Sequence, residues 1–213
     1  MPSSVLTPLQ VQAARLFFSL PQSAGFAVAG GAALVAQGLI QRPTWDVDLF
    51  LLDAQSSTVA SAASAFEAAG DTLGWSHHRV IDQAEFVRLS IIGDGETLII
   101  DLGRDSPAQE PLEPTDLGPT LSARDLAARK TLALFGRAAP RDFADVYDLA
   151  RRYGRDHLLG WAAADDPGFD KQIFADMLTS IDRLTDEDLP VGAERVSALR
   201  DFFHDWAVEL VAP

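Results

Sequence analysis

The spacing of apolar residues changes character near the middle of this 213-residue chain, and that change limits what it can fold into. Up to about residue 102, short extended runs alternate with brief helical stretches. From Ser122 onward, apolar residues recur at helical spacing and no strand pattern returns. The expectation is an α+β protein: a mixed α/β region followed by an all-helical one. The stretch from Asp105 to Pro119 is rich in Pro, Asp and Glu and predicts a linker. The expected division is therefore residues 1–110 and 111–213, the second region completing an active site begun in the first.

In the first half, Thr7-Pro8-Leu9-Gln10 predicts a capping box opening a helix that stops at Pro21. Phe26–Ala29 predicts a strand broken by Gly30-Gly31, with a small-residue helix over Ala32–Gln37 closed by Gly38. Strands are expected at Thr44–Leu52, Trp75–Ile81, Glu85–Ile92 and Thr97–Leu102, and a helix over Ala54–Ala69. Gly93-Asp94-Gly95-Glu96 predicts a hairpin between the last two strands. In the second half, Ser122 and Asp125 predict a capped helix through Phe135. Further helices are expected over Pro140–Tyr153, Arg155–Ala164, Lys171–Leu184 and Ala193–Leu210.

Composition excludes some chemistry. The chain has no cysteine, so disulfides, thiolate metal sites and cysteine nucleophiles are out. No apolar run is long enough to span a bilayer, and the first residues do not read as a secretion signal, which predicts a cytoplasmic protein without membrane contact. The net charge of −14 argues against broad, salt-driven nucleic-acid binding. Yet eight basic residues (Arg124, Arg129, Lys130, Arg137, Arg141, Arg151, Arg152 and Arg155) share a window with only four acids. Helix-surface charges paired with one another explain that window most simply; a patch for triphosphate or RNA phosphates is the alternative.

The sharpest local signal is Thr44-Trp45-Asp46-Val47-Asp48-Leu49-Phe50. Alternation sends Trp45, Val47 and Leu49 one way, and Asp46 and Asp48 the other. Two carboxylates then stand roughly 7 Å apart at the backbone. Their repulsion calls for a neutralising partner, and a hard divalent cation with oxygen ligands is one. The alternative is an exposed edge strand with solvated acids; Phe50 on the Asp face argues against it. Asp101 interrupts the apolar strand Thr97–Leu102. It is either a strand-end acid or a third carboxylate facing the pair, as in two-metal phosphoryl transfer. Gly30-Gly31, between a strand and a helix, let a backbone approach a phosphate, although a plain strand-to-helix turn is the commoner meaning.

Lys130 lies in an apolar helical stripe with Leu126, Ala133 and Leu134, so it must snorkel or meet an anion. In the following helix Phe143, Val146, Tyr147 and Ala150 form a core stripe. Asp142 and Asp145 flank Leu149 on a side expected to meet protein rather than water. Asp145 alternatively reads as the i,i+4 partner of Arg141, and Asp148 reads as a surface ion-pair member near Arg141 and Arg152. Arg152 and His157 carry the arginine–four–histidine spacing of HEPN-type ribonucleases, a short pattern that arises often by chance.

Taken in order, Gly30-Gly31-Ala-Ala-Leu34, then Arg42-x-Thr44-x-Asp46-Val-Asp48, then Ala-Arg-Lys130-x-x-Ala-Leu, then Arg141-Asp142-x-x-Asp145-Val-Tyr147, resemble the motifs of the AbiEii/AbiGii-type (MenT-like) nucleotidyltransferase toxins. The resemblance spans about residues 26–153; the family more often has Gly-Ser where this chain has Gly30-Gly31. It implies a polymerase-β-like nucleotidyltransferase fold with a mixed sheet and a helical C-terminal region. It implies transfer of a nucleotide from an NTP, with loss of pyrophosphate, to an RNA acceptor such as a tRNA 3′ end. A toxin–antitoxin or phage-defence setting and a cognate antitoxin go with it. Carried over by position, Asp46, Asp48, Lys130 and Asp145 are catalytic. Gly30, Gly31, Arg42, Thr44, Lys130 and Asp142 bind nucleotide, and Asp46 and Asp48 bind Mg²⁺ or Mn²⁺. Asp101 joins the metal set by the strand argument above. The alternatives are the same chemistry on a small-molecule or protein hydroxyl, and a non-catalytic binding module.

Overall fold

The computed structural model describes residues 6–53 and 55–212, which form two compact units, one up to Ala123 and one from Arg124. The first is built on a seven-stranded mixed sheet. Its strands are β1 (Phe26–Ala29), β2 (Asp46–Leu51), β3 (Ser76–Gln83), β4 (Phe86–Gly93), β5 (Glu96–Arg104), β6 (Glu113–Thr115) and β7 (Gly118–Thr120), in the spatial order β3-β4-β5-β2-β1-β7-β6. The pairs β2–β5 and β1–β7 are parallel, and the remaining neighbours are antiparallel. Helices α1 (Pro8–Phe18), α2 (Gly30–Ala36) and α3 (Val59–Thr72) complete this unit.

Local signals explain most of these elements. Thr7 Oγ1 accepts the Gln10 N–H, and the Gln10 side chain accepts the Thr7 N–H in return, which closes the capping box of α1. The turn between β4 and β5 has two residues, Asp94 and Gly95, both at positive φ (52° and 80°), the twist that suits a tight hairpin. Val47, Leu49 and Leu51 of β2 are fully buried, as alternation predicts. Trp45, on the same parity, is instead 77% exposed: the paired stretch of β2 begins at Asp46, so no neighbouring strand shields it. Helix α3 starts at Val59, after a Thr58 cap; Ala54, the expected start, lies outside the described residues.

The segment expected as a linker is not structureless. Its two short strands add to the sheet through Thr120 on β7, which pairs with Val28. Three-residue strands containing Pro114 and Pro119 carry almost no alternation to read, and β1, which joins them to the sheet through β7, lies some ninety positions away.

The second unit is helical throughout: α4 (Ala123–Arg137), α5 (Pro140–Tyr153), α6 (Arg155–Asp165), α7 (Lys171–Thr179) and α8 (Ala193–Val211), with a 3₁₀ turn over Ser180–Arg183. Its core is aromatic, with Phe143, Phe174, Phe203 and Trp206 fully buried. The fold is thus the mixed sheet followed by helices that the sequence predicts. Among the described residues, no helix is long and apolar enough to cross a membrane.

Candidate active site

In the sheet unit the candidate residues gather around one end of β2. Asp46 and Asp48 project to the same face, with Phe50, and all three are partly exposed. Thr44, which is buried, donates its hydroxyl to Asp46 at 2.9 Å. The Thr44 carbonyl in turn accepts a buried bond from the Gln10 side chain at 2.8 Å, so α1 fixes the chain where it enters β2. The Arg42 guanidinium donates to the Pro43 carbonyl at 3.0 Å, on the same approach.

The glycine pair has a clear steric role. Gly30 opens α2 at φ +62°, and a Cβ there would collide with the Asp48 carboxylate. A Cβ on Gly31 would come within 2.8 Å of the Thr44 hydroxyl. Both glycines therefore clear space for the side chains that carry or orient the carboxylate pair. Because β1 runs antiparallel to β2 with Ala29 opposite Asp48, the turn after β1 lands beside that carboxylate.

Asp101 on β5 is in register with Asp48, so the two share a face one strand apart. Both of its oxygens are taken, however. Arg88 on β4, directly opposite in the antiparallel pair, donates Nε and Nη2 to them at 2.7 and 2.6 Å. Asp101 is buried, and its hydrogen bonds raise the pKa of Arg88 first of all, with the charges of Asp46 and Asp48 adding to the effect. Among the described residues, no group of three or more His, Asp or Glu side chains is arranged for a metal ion. The oxygen-only pair of Asp46 and Asp48 is nevertheless the donor chemistry that Mg²⁺ or Mn²⁺ favours.

In the helical unit, Lys130 of α4 does meet an anion. Its ammonium lies 2.8 Å from Asp145 and 4.0 Å from Asp142, both on α5. Lys130 is 7% exposed and the two carboxylates 0%. Arg137 adds a two-pronged bond to Asp142, at 2.8 and 3.0 Å. The expectation that Asp142, Asp145 and Leu149 face protein holds, and so does the core stripe of Phe143, Val146, Tyr147 and Ala150. Asp148 pairs with Arg195 of α8, a residue too distant in sequence for helical spacing to suggest. Several bases of the basic window are spent on acids: Arg124 on Asp165, Lys130 on Asp145, Arg137 on Asp142 and Arg155 on Glu209. His157 bonds the Tyr153 carbonyl one turn back.

Two residues of this neighbourhood escape a reading of the sequence, Arg88 and the Gln10 side chain beyond its cap. The first had a signal. Once Asp94-Gly95 is taken as a two-residue turn, Gly93 faces Glu96, and counting back along both strands sets Arg88 against Asp101.

Residues 15–200 match the sequence profile described as "Nucleotidyl transferase AbiEii toxin, Type IV TA system". The chain belongs to the AbiEii nucleotidyltransferase toxin family. No curated protein matches the sequence. Solved structures of similar fold include JHP933 from Helicobacter pylori, with 16% identity and a TM-score of 0.59, over 96% of this chain and 94% of that one. A second H. pylori structure has 15% identity and a TM-score of 0.56, over 98% of this chain and all of that one. MenT4, a nucleotidyltransferase toxin of Mycobacterium tuberculosis, has 12% identity and a TM-score of 0.52, over 98% of this chain and 88% of that one. The AbiEii member described here therefore has the polymerase-β-like nucleotidyltransferase fold and is a nucleotidyltransferase.

Proposed function

We propose that this AbiEii protein transfers a nucleotide from an NTP to a hydroxyl of an RNA acceptor, the 3′ end of a tRNA, in the cytoplasm, as the toxin partner of a cognate antitoxin. The acceptor hydroxyl gives up its proton to a site carboxylate or water, its oxygen bonds to the α-phosphorus, and the bond from that phosphorus to the β-phosphate oxygen breaks, releasing pyrophosphate. Asp46 and Asp48 would hold Mg²⁺ or Mn²⁺, whose charge offsets that of the phosphates and polarises the reacting oxygens. The observation that carries this reading is the Asp46–Asp48 pair on one face of β2, with Gly30 cleared for one carboxylate and the Thr44 hydroxyl aimed at the other.

The protein's own groups act mainly by positioning. Arg42 and Thr44 would orient the nucleotide beside the carboxylates, and the backbone of Gly30 and Gly31 would approach its phosphates. In the helical unit, Lys130 would contact the triphosphate, with Asp145 holding the ammonium and Asp142 supporting it through the same buried cluster. Asp101 joins the metal ligands when its bond to Arg88 opens.

The test supplies each labelled NTP with Mg²⁺ and total tRNA. Label is expected on RNA, and Asp48→Asn should remove at least ~99% of it, as loss of an electrostatic stabiliser of the reaction commonly does. Normal transfer by Asp48→Asn would overturn the site. The acidity of the chain supports a second reading, in which the same site serves a small-molecule or protein hydroxyl. Label appearing on those acceptors and never on RNA would select it.

A further inference from the structure

Arg88 stands where a carboxylate-rich site has most use for a cation. Its fork takes both oxygens of Asp101, at 2.7 and 2.6 Å. Asp101 in turn sits in register beside Asp48, and Asp46 is two residues further along the same strand face. The Asp101 side chain is 7% exposed and that of Arg88 is 38% exposed, so the carboxylate is the fixed member and the arginine the one with room to move. A two-pronged guanidinium bond takes one lone pair on each oxygen and offsets the charge a metal would seek, and a guanidinium near a divalent ion is repelled by it. Arg88 and a divalent cation therefore compete for the same negative charge.

We propose that Arg88 is a built-in counter-cation that withholds Asp101 from the metal in the nucleotide-free protein, and thereby sets how tightly the Asp46–Asp48 pair binds a divalent ion. The inference rests on the metal reading above. Arg88 is a positioning residue here: it acts on the metal through Asp101. Weak binding of free metal would make loading depend on the nucleotide, whose phosphates bring ligands of their own.

The experiment titrates Mn²⁺ alone into the full-length protein, by calorimetry and by its effect on Tm. Arg88→Met releases Asp101, and an added carboxylate ligand tightens hard-cation sites strongly. About tenfold tighter binding than wild type is expected. A carboxylate left buried without its arginine also destabilises the metal-free variant. Mn²⁺ should thus raise the Tm of Arg88→Met by more than it raises that of wild type. Both gains should vanish in the Arg88→Met/Asp101→Asn double variant. Arg88→Lys keeps the charge but not the fork, carries less risk to folding, and should shift affinity the same way by a smaller factor. Equal or weaker Mn²⁺ binding by the Arg88 variants, while wild type binds in an Asp48-dependent manner, overturns this inference alone. Failure of wild type and variants alike to bind Mn²⁺ overturns the metal reading and this inference together.

Discussion

At Gly30 two demands meet: a backbone at φ +62° and an Asp48 carboxylate occupying the space of a side chain. Gly38 has a similar φ, +65°, but open space around it. The two positions separate strain from collision. Gly38→Ala should cost about 1–2 kcal/mol for the left-handed backbone alone. Gly30→Ala should cost more, about 2–4 kcal/mol with a displaced side chain added, and should weaken Mn²⁺ binding as well. Urea denaturation and an Mn²⁺ titration check both; equal behaviour of the two variants would remove Gly30 from the site. Lys130 poses a different problem, since its ammonium sits in a buried cluster with Asp145 and Asp142. Breaking such a pair typically costs roughly 3–5 kcal/mol, whereas replacing both partners by apolar groups is far milder. Lys130→Met should lower the denaturation midpoint substantially, and Lys130→Met/Asp145→Leu should recover much of the loss. A midpoint unchanged in Lys130→Met would mean the pair carries little stability. Lost transfer in Lys130→Ala is consequently weak evidence for a phosphate contact, and Asp48→Asn is the cleaner probe. Alternation alone makes Asp46 and Asp48 legible in the sequence. For Lys130 the sequence leaves open both snorkelling and an anion, because a contact between two helices has no local signature.

Helix α1 matters to the candidate site through one side chain. The Gln10 carbonyl oxygen closes the capping box with Thr7, while its amide nitrogen donates to the Thr44 carbonyl. Gln10→Ala should cost about 1–3 kcal/mol, because it removes half the cap and leaves a buried carbonyl unsatisfied. Gln10→Glu keeps the cap but turns an acceptor toward the Thr44 carbonyl, so it should destabilise too, and more at neutral pH than at pH 4. Thr7→Ala touches only the cap and should cost about 1 kcal/mol. If thermal melts give Gln10→Ala and Thr7→Ala the same loss, the bond to Thr44 contributes nothing. At this scale the sequence is highly legible. Strand β1 and helix α5 fall where periodicity puts them, and the Asp94-Gly95 turn fixes the register of β4 on β5. What stays hidden is what depends on pairing between distant segments: β6 and β7 joining the sheet beside β1, and α8 supplying Arg195 to Asp148.

Over the whole molecule the charge is unevenly divided. Up to Ala123 the chain carries fourteen acids against five arginines; from Arg124 it carries seventeen acids against twelve bases. The sheet unit is the more acidic for its bases, and it is the unit that bears the carboxylate pair. Of its arginines, Arg15, Arg79, Arg88 and Arg104 are each matched to an acid. In the helical unit at least six of the twelve bases also face a carboxylate: Arg124, Lys130, Arg137, Arg155, Arg195 and Arg200. Ten of the seventeen bases thus already face a carboxylate, so a tRNA acceptor would be held through a small number of phosphate contacts. Each contact contributes roughly −0.7 to −0.9 to the slope of log affinity against log salt. A slope no steeper than about −3 is expected for tRNA between 50 and 300 mM NaCl, the mark of roughly three to four contacts. Filter binding with Asp48→Asn, the variant expected to lose transfer, measures it without turnover. A slope near −6 or steeper would require a phosphate-binding surface that this charge distribution does not provide, and would mean that the basic window of α4 and α5 exchanges its internal carboxylate partners for RNA.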